Sequence, residues 1–204
     1  FANEVKNMNI LIHLFFSQND ENIILGNFIA DYIRGINRIK GYPPQIQSGI
    51  KLHQWIDNYS DNNLIVKKTI SIFSPSLKHY APVAVDVIYD HFMSNNWENF
   101  SKKSLFNTID EFYIILENNY NILPNKAKRA VDHMIKNNWL IMYKDLSGLK
   151  NIFEWMDTRA SFEANLTNSI EILEEYYSEI ENDFLSFINT MIIDFDKIKS
   201  DINE

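Results

Sequence analysis

Apolar residues recur at helical spacing along nearly the whole chain, and no pair of segments alternates as paired β-strands do. Prolines, glycines and capping residues divide this pattern into segments. The predicted helices cover residues 8–17, 20–34, 44–60, 62–73, one kinked at or begun near Pro82 and ending at 97, 104–120, 124–143, 149–158, and a last one from 166 onward. The spacing therefore predicts an all-α helical bundle.

The C-terminal segment shows the clearest pattern. Its apolar side chains alternate at spacings of four and three residues over more than 25 residues, which is one continuous seam on a helix. The seam consists of Leu166, Ile170, Leu173, Tyr177, Ile180, Phe184, Phe187 and Met191. We expect this long helix to pack against the body of the protein or a hairpin partner rather than to form a dimeric coiled coil.

Composition narrows the class of protein further. A chain of 204 residues with 46% hydrophobic residues is typical of one soluble domain, which we place at residues 8–204 after an extension at residues 1–7. Only five glycines and five prolines occur, which favours long helices over turn-rich folds. The absence of cysteine excludes disulfides, thiolate metal sites and a cysteine nucleophile. No apolar run suits a membrane helix or a signal peptide, so we expect no membrane association and a cytoplasmic protein.

Charge is distributed unevenly along the chain. The net charge is −8, but residues 163–204 hold 11 acidic and 2 basic residues, which leaves the first 162 residues at about +1. Residues 32–56 contain no acid and carry Arg34, Arg38, Lys40 and Lys51, and a second basic group lies at residues 126–129. These are either solvated helix faces or a surface for an anion or an acidic partner. Nucleic-acid binding is not expected, because no long basic stripe with interleaved aromatic residues is present.

Histidines and aspartates occur in pairs that share helix faces. His53 and Asp57 are four residues apart, as are Asp86 and Asp90, and His91 follows directly. Asp86 and Asp90 lie within an apolar run, where buried carboxylates need a partner or a metal ion. Imidazole and carboxylate groups together suit a divalent cation, and an oxygen-rich set favours Mg²⁺ or Mn²⁺.

Asp31 and His13 are two further candidates for a functional site. Asp31 lies near the end of the second predicted helix, and His13 lies within the apolar first helix, where it is either a core residue or part of a site. No phosphate-binding glycine loop, dinucleotide fingerprint or serine-hydrolase elbow is present, so these chemistries have no support.

Many short motifs resemble, in order and spacing, those of the bacterial acyl carrier protein phosphodiesterases, over about residues 8–160. The residues that carry the resemblance are Met8–Leu14, Gly26-Asn27, Ala30–Gly35, Pro43-Pro44, Gly49-Ile50, His53, Ile56-Asp57, Asp61-Asn62, Ala81-Pro82, Asp86-Val87, Asp90-His91-Phe92, Trp139-Leu140, Tyr143, Asp145 and Arg159.

The resemblance implies both an activity and a fold. Such enzymes hydrolyse the phosphodiester that joins 4′-phosphopantetheine to a serine of holo acyl carrier protein, and they require Mn²⁺ or Mg²⁺. They are unusual members of the all-helical HD phosphohydrolases, so an HD-domain-like bundle is expected. The order of Asp90 and His91 is the reverse of the usual His-Asp pair.

With the family in view, we predict a metal centre and a substrate-binding set. The expected metal ligands are Asp31, His53, Asp57, Asp90 and His91. Asp31, His91 and His13 are the expected catalytic residues, with His13 a candidate acid for the leaving oxygen. Arg34 and Arg159 would bind the phosphate, and Arg38 and Lys51 would contact the acidic carrier.

Two other functions remain open at this stage. One is a metal-dependent phosphohydrolase that acts on a nucleotide or another small phosphoester with the same ligands. The other is a non-catalytic helical module that binds a carrier protein. Substrate profiling separates the first alternative from the carrier phosphodiesterase, and metal uptake with phosphate release separates the second.

Overall fold

The computed structural model describes residues 9–33, 35–160 and 164–203, and over these ranges every regular element is helical. The α-helices are α1 Ile10–Phe16, α2 Glu21–Ile29, α3 Ile36–Ile39, α4 Pro44–Asn62, α5 Leu64–Leu77, α6 Ala81–Asn95, α7 Trp97–Phe100, α8 Leu105–Asn118, α9 Asn125–Lys136, α10 Leu146–Asp157 and α11 Ser169–Asn203. Short 3₁₀ turns connect several of them. The predicted all-α fold is confirmed, and residues 1–7 lie outside the described ranges.

Helices α2 and α4 form the closest helix pair, and two glycines make it possible. A Cβ atom added to Gly26 would lie 2.0 Å from the Ile46 carbonyl oxygen, and one added to Gly49 would lie 2.3 Å from that of Ile23. The two backbones therefore touch where any side chain would hold them apart. This contact sets the distance between Asn27, which follows Gly26, and His53, one turn beyond Gly49.

Helix α6 runs through the interior, and α11 packs along the body of the bundle. Most of α6 is buried, from Ala81 to Ser94. Helix α11 packs mainly against α5 and α4. Its seam residues Ile180 and Phe184 are fully buried, and the Phe184 ring stacks on Phe92 of α6. The expectation that the seam packs against the protein body is confirmed. The helix is kinked at Tyr176, whose φ of −109° and ψ of 17° are not helical.

Several predicted helix boundaries are wrong. The helix predicted over 20–34 ends at Ile29 and is followed by a 3₁₀ turn at Ala30–Tyr32. Helix α5 does not end near residue 73 but continues through Pro75 to Leu77, because a proline in the last turn removes only one hydrogen bond. Lys78 then ends it at a φ of 51°. The helix predicted over 124–143 ends at Lys136, since Asn138 adopts a left-handed conformation and residues 139–144 continue as a 3₁₀ turn.

None of the described helices is both long enough and apolar enough to cross a bilayer.

Candidate metal centre

Two histidines and two aspartates from three segments come together where the C-terminal end of α2 lies beside the middle of α4. His13 lies on α1, His53 and Asp57 lie on α4, and Asp31 lies on the 3₁₀ turn that follows α2. The two imidazole centroids are 4.4 Å apart. We refer to these four residues as the His–Asp cluster.

The Nε2 atoms of both histidines face carboxylate oxygens. His13 Nε2 lies 3.3 Å from Asp57 Oδ1, and His53 Nε2 lies 3.2 Å from Asp57 Oδ2. His53 Nε2 is also 3.3 Å from Asp31 Oδ1. One donor atom each from His13, His53 and Asp57 lies within 4.8 Å of the others, as a shared metal ion requires. Asp31 contacts this group through His53.

The opposite sides of both imidazoles face one amide. The Nδ1 atoms of His13 and His53 lie 2.7 Å and 3.2 Å from Asn27 Oδ1. Asn27 is buried and belongs to α2. Sequence reasoning gave it no function, although it is a polar residue one helical turn before Asp31 in an otherwise apolar stretch. That spacing places the two side chains on one helix face and is the signal that could have identified Asn27.

Electrostatic interactions in the cluster favour a protonated His53 opposite an ionised Asp57. Burial lowers the pKa of His53, but hydrogen bonds and charges from Asp31 and Asp57 outweigh it and raise the pKa to about 9. Burial opposes ionisation of Asp57, yet contacts with His13 and His53 hold its pKa well below the usual range. Asp57 is therefore a carboxylate at neutral pH, and a positive charge opposite it is strongly stabilised.

The donor set fits a divalent cation. His13 Nε2 is buried and makes no hydrogen bond, although Asp57 Oδ1 is at ion-pair distance. A buried polar atom without a hydrogen bond costs about 1–3 kcal/mol. A cation between the histidine nitrogens and the carboxylates would coordinate this atom and neutralise the acids. Both aspartates are reachable from solvent, since their side chains are 28% and 31% exposed.

A cavity with a largely apolar wall lies beside the cluster. His13, His53 and Asp31 form part of its polar lining. The apolar lining consists of Ile10, Leu14, Ile24, Phe28, Tyr32 and Phe112. A ligand held at the cluster would therefore have hydrophobic surface on one side.

Asp90 is not brought into this group. Its Oδ2 and Oδ1 atoms accept hydrogen bonds from the backbone N–H groups of Leu11 and Ile12, at 2.8 Å and 3.1 Å. The side chain is fully buried, and burial raises its pKa well above the usual value. In the structure it caps the start of α1, whose own N-cap Asn9 makes no side-chain cap bond. Metal ligation by Asp90 stays a prediction. It is not favoured by the structure, because both carboxylate oxygens already accept backbone hydrogen bonds.

His91 has different neighbours from those of the cluster. Its Nδ1 lies 2.7 Å from the Tyr143 carbonyl oxygen, and its Nε2 lies 3.0 Å from the Tyr177 hydroxyl. A carbonyl only accepts, so Nδ1 carries a proton. Burial lowers the pKa of His91, which favours the neutral ring. Among the described residues, His91 makes no contact with the His–Asp cluster. Its metal-binding and catalytic roles remain predictions.

Three of the four predicted substrate-binding cations lie on the surface of the described part of the chain. Arg38 on α3 and Lys51 on α4 are exposed. Arg159 stacks on Trp155 with 4.2 Å between the guanidinium carbon and the ring centroid. Arg34 lies outside the described residues. The substrate roles of all four remain predictions.

Comparison with known proteins gives the family. The family model described as acyl carrier protein phosphodiesterase matches residues 8–191. The chain belongs to the acyl carrier protein phosphodiesterase family. Proteins named acyl carrier protein phosphodiesterase in Escherichia coli O157:H7 and Photorhabdus laumondii are 30% identical to it over 91% of this chain, and they are covered over 96% and 93% of their length. The one in Yersinia pestis is 29% identical over 91% of the chain and 96% of its own length.

The family assigned from the motifs is thereby confirmed. The relatives of this chain are named as enzymes that hydrolyse a phosphodiester bond, so the chain is a member of an enzyme family. No solved structure was found to match the chain. The HD-domain-like architecture accordingly stays a prediction, consistent with an all-helical bundle.

Proposed function

We propose that this protein hydrolyses the phosphodiester between 4′-phosphopantetheine and the serine of holo acyl carrier protein. The observation that carries the proposal is the His–Asp cluster, with His13 Nε2 and His53 Nε2 turned towards two carboxylates beside a cavity. It occurs in a chain whose relatives are named for this substrate. The products are the apo carrier and free phosphopantetheine, and the reaction would take place in the cytoplasm.

The four cluster residues would hold the metal ion. His13 and His53 offer Nε2 atoms, and Asp57 and Asp31 offer carboxylate oxygens. Imidazole nitrogens suit Mn²⁺ better than Mg²⁺, so we propose Mn²⁺ as the preferred ion and Mg²⁺ as the weaker one. When bound, a divalent cation lowers the pKa of water and polarises a phosphoryl oxygen.

The chain's own residues orient the reacting groups. Asp31 lines the cavity and its carboxylate faces His53, so we assign it, besides metal binding, the role of orienting the attacking water. The new bond joins the water oxygen to phosphorus, and the bond from phosphorus to the serine oxygen breaks. That serine oxygen takes the electron pair of the broken bond and a proton that the attacking water loses, which leaves a serine hydroxyl on the carrier and a phosphate monoester on phosphopantetheine. Because His13 faces Asp57, we assign it to metal binding rather than to protonation of the leaving oxygen.

The acidic carrier would dock on the acid-free segment at residues 32–56. Arg38 and Lys51 are exposed there. The segment contacts the region of the second basic group, because the Tyr42 hydroxyl lies 3.4 Å from the Ile122 carbonyl oxygen and Lys128 Nζ lies 3.4 Å from the Asn121 carbonyl oxygen. The two basic groups therefore lie on adjoining parts of the surface.

Incubation with holo acyl carrier protein and Mn²⁺, followed by intact-mass measurement, tests the proposal. Loss of the phosphopantetheine mass from the carrier is expected. Asp57→Asn should abolish this loss, whereas Gln54→Ala, an exposed neighbour on the same helix, should retain it. An unchanged carrier mass with the purified wild-type protein, alongside release of phosphate from small phosphoesters, would instead favour a small-molecule phosphohydrolase.

A further inference from the structure

We propose that Asn27 is a positioning residue that fixes which nitrogen of His13 and of His53 is presented to the metal ion. The inference rests on the proposed metal centre, but not on the identity of the substrate. It concerns one amide oxygen that faces both imidazoles from the side opposite the carboxylates.

The orientation of the Asn27 amide follows from its partners. Its Nδ2 donates to the His13 carbonyl oxygen and to Ser17 Oγ, both at 3.0 Å. A backbone carbonyl can only accept, so the nitrogen end of the amide must lie on that side. Ser17 Oγ donates its own proton to the same carbonyl, at 2.9 Å, and is therefore free to accept from Nδ2. The oxygen end of Asn27 is thus directed to the two rings.

The ring protons follow from the amide orientation. An amide oxygen cannot donate, so the Nδ1 atoms of His13 and His53, at 2.7 Å and 3.2 Å, carry the protons in both contacts. In a neutral imidazole the proton on Nδ1 leaves Nε2 with a lone pair. When a metal ion takes the place of the Nε2 protons, both lone pairs point to the side where Asp57 and Asp31 lie. One residue thereby prepares two nitrogen ligands at once.

The position of Asn27 is fixed by the backbone as well. It is 2% exposed and follows Gly26, where α2 touches α4 without intervening side chains. His53 lies on α4, and His13 lies on α1, which the Asn27 amide holds through the His13 carbonyl. Asn27 therefore contacts both ligand-bearing helices from a third helix. A partner of this kind, beyond the ligands themselves, typically changes metal affinity when it is replaced.

The two halves of the amide can be tested separately. Asn27→Leu removes the oxygen that faces the rings, whereas Ser17→Ala removes a partner of the nitrogen end and leaves the oxygen in place. Asn22→Leu, at an exposed position on the same helix, controls for the new apolar side chain. The dissociation constant for Mn²⁺ alone is measured by the electron paramagnetic resonance signal of the free ion, with circular dichroism to confirm folding.

Asn27→Leu should weaken Mn²⁺ binding by about 10–100-fold, the range found for residues that orient ligands. Ser17→Ala and Asn22→Leu should stay within about threefold of the wild-type protein, since the oxygen that orients the rings is retained. A folded Asn27→Leu variant with wild-type affinity, or an equal loss in Ser17→Ala, would overturn the inference, because Asn27 would then be a purely structural residue.

A measurement on the wild-type protein avoids any dependence on the variant's folding. With Zn²⁺ as a diamagnetic probe, long-range ¹H–¹⁵N spectra should show a protonated Nδ1 and a metal-bound Nε2 for both His13 and His53. Metal on Nδ1 of either ring, or no binding of Zn²⁺ and Mn²⁺ at all, would contradict the proposal. Intact Mn²⁺ binding without carrier hydrolysis would count against the substrate and leave the role of Asn27 standing.

Discussion

At the scale of single residues, the two faces of each histidine in the cluster have different partners. Asn27 lies against the Nδ1 atoms, and the carboxylates lie against the Nε2 atoms. Of these residues, His53 and Asp57 could be paired from the sequence, because a spacing of four residues fixes their proximity on one helix. His13 and Asp31 join them only through the packing of α1 and α2, which no local pattern reveals.

The pKa of His53 predicts a pH dependence of stability in the metal-free protein. A value of about 9, raised from 6.5, means that the folded state holds the proton more tightly than the unfolded state. The stabilisation is complete below pH 6.5 and is lost as the pH rises through 9. Solvent partly screens the interactions of His53 with Asp31 and Asp57, which reduces their contribution. We therefore expect the free energy of unfolding to fall by about 1–3 kcal/mol over this range.

Urea unfolding in the presence of a chelator, from pH 6 to pH 10, measures this effect. The His53→Gln variant should show a flatter profile than the wild-type protein, since it lacks the titrating group. Parallel profiles for the two proteins would show that His53 is not the source of the pH dependence.

Variants of Asp90 distinguish a role in capping α1 from a role as a metal ligand. In Asp90→Ala, the buried N–H groups of Leu11 and Ile12 lose their acceptors, which should cost about 2 kcal/mol or more. In Asp90→Asn, one oxygen still accepts, so the loss should be smaller. We expect the Asn variant to bind Mn²⁺ more tightly than Asp57→Asn does, as measured by titration calorimetry. The opposite order of affinities would support the ligand role that the sequence predicts.

At the scale of elements, the glycine contact between α2 and α4 is the feature that positions the His–Asp cluster. Gly26→Ala would push a methyl group onto the Ile46 carbonyl oxygen, so we expect a loss of about 1–3 kcal/mol, typical of overpacking. Gly41→Ala is the control, because its added Cβ would meet only the Arg38 carbonyl oxygen, at 3.3 Å. Thermal unfolding of both variants provides the measurement. Equal melting temperatures would mean that the helices separate without cost.

The helices also show which structural features a sequence pattern can predict. The seam on α11 was predictable because the residues repeat at a regular spacing that only a packed helix satisfies. The end of α9 was not, because nothing local forces Asn138 into the left-handed conformation. The turn that follows buries Trp139 and Tyr143, and this tertiary packing outweighs the helical spacing of the segment.

At the scale of the whole molecule, the charge asymmetry predicts how the carrier would be bound. The net charge is −8, yet the proposed docking surface is basic, so attraction is local and screened by salt. We expect the KM for holo acyl carrier protein to rise as NaCl is increased from 50 to 300 mM. Arg38→Glu and Lys51→Glu should raise the KM about tenfold at low salt and reduce its salt dependence.

Steady-state kinetics with the carrier as the varied substrate test this docking surface. Lys150→Glu on α10 reverses the same charge outside the proposed surface and should leave the KM near the wild-type value. A KM that is independent of salt would exclude electrostatic docking, whatever the outcome for the metal centre.

With the proposed metal ion, the assembly of the cluster from three segments would tie cation supply to protein abundance. Because the cluster residues come from three segments that only the fold brings together, an unfolded chain lacks the assembled site. Each tenfold excess of the ion over its dissociation constant would then add about 1.4 kcal/mol to the folded state. Under manganese starvation, turnover of the empty polypeptide by proteases would rise, so the enzyme level would decline together with its cofactor.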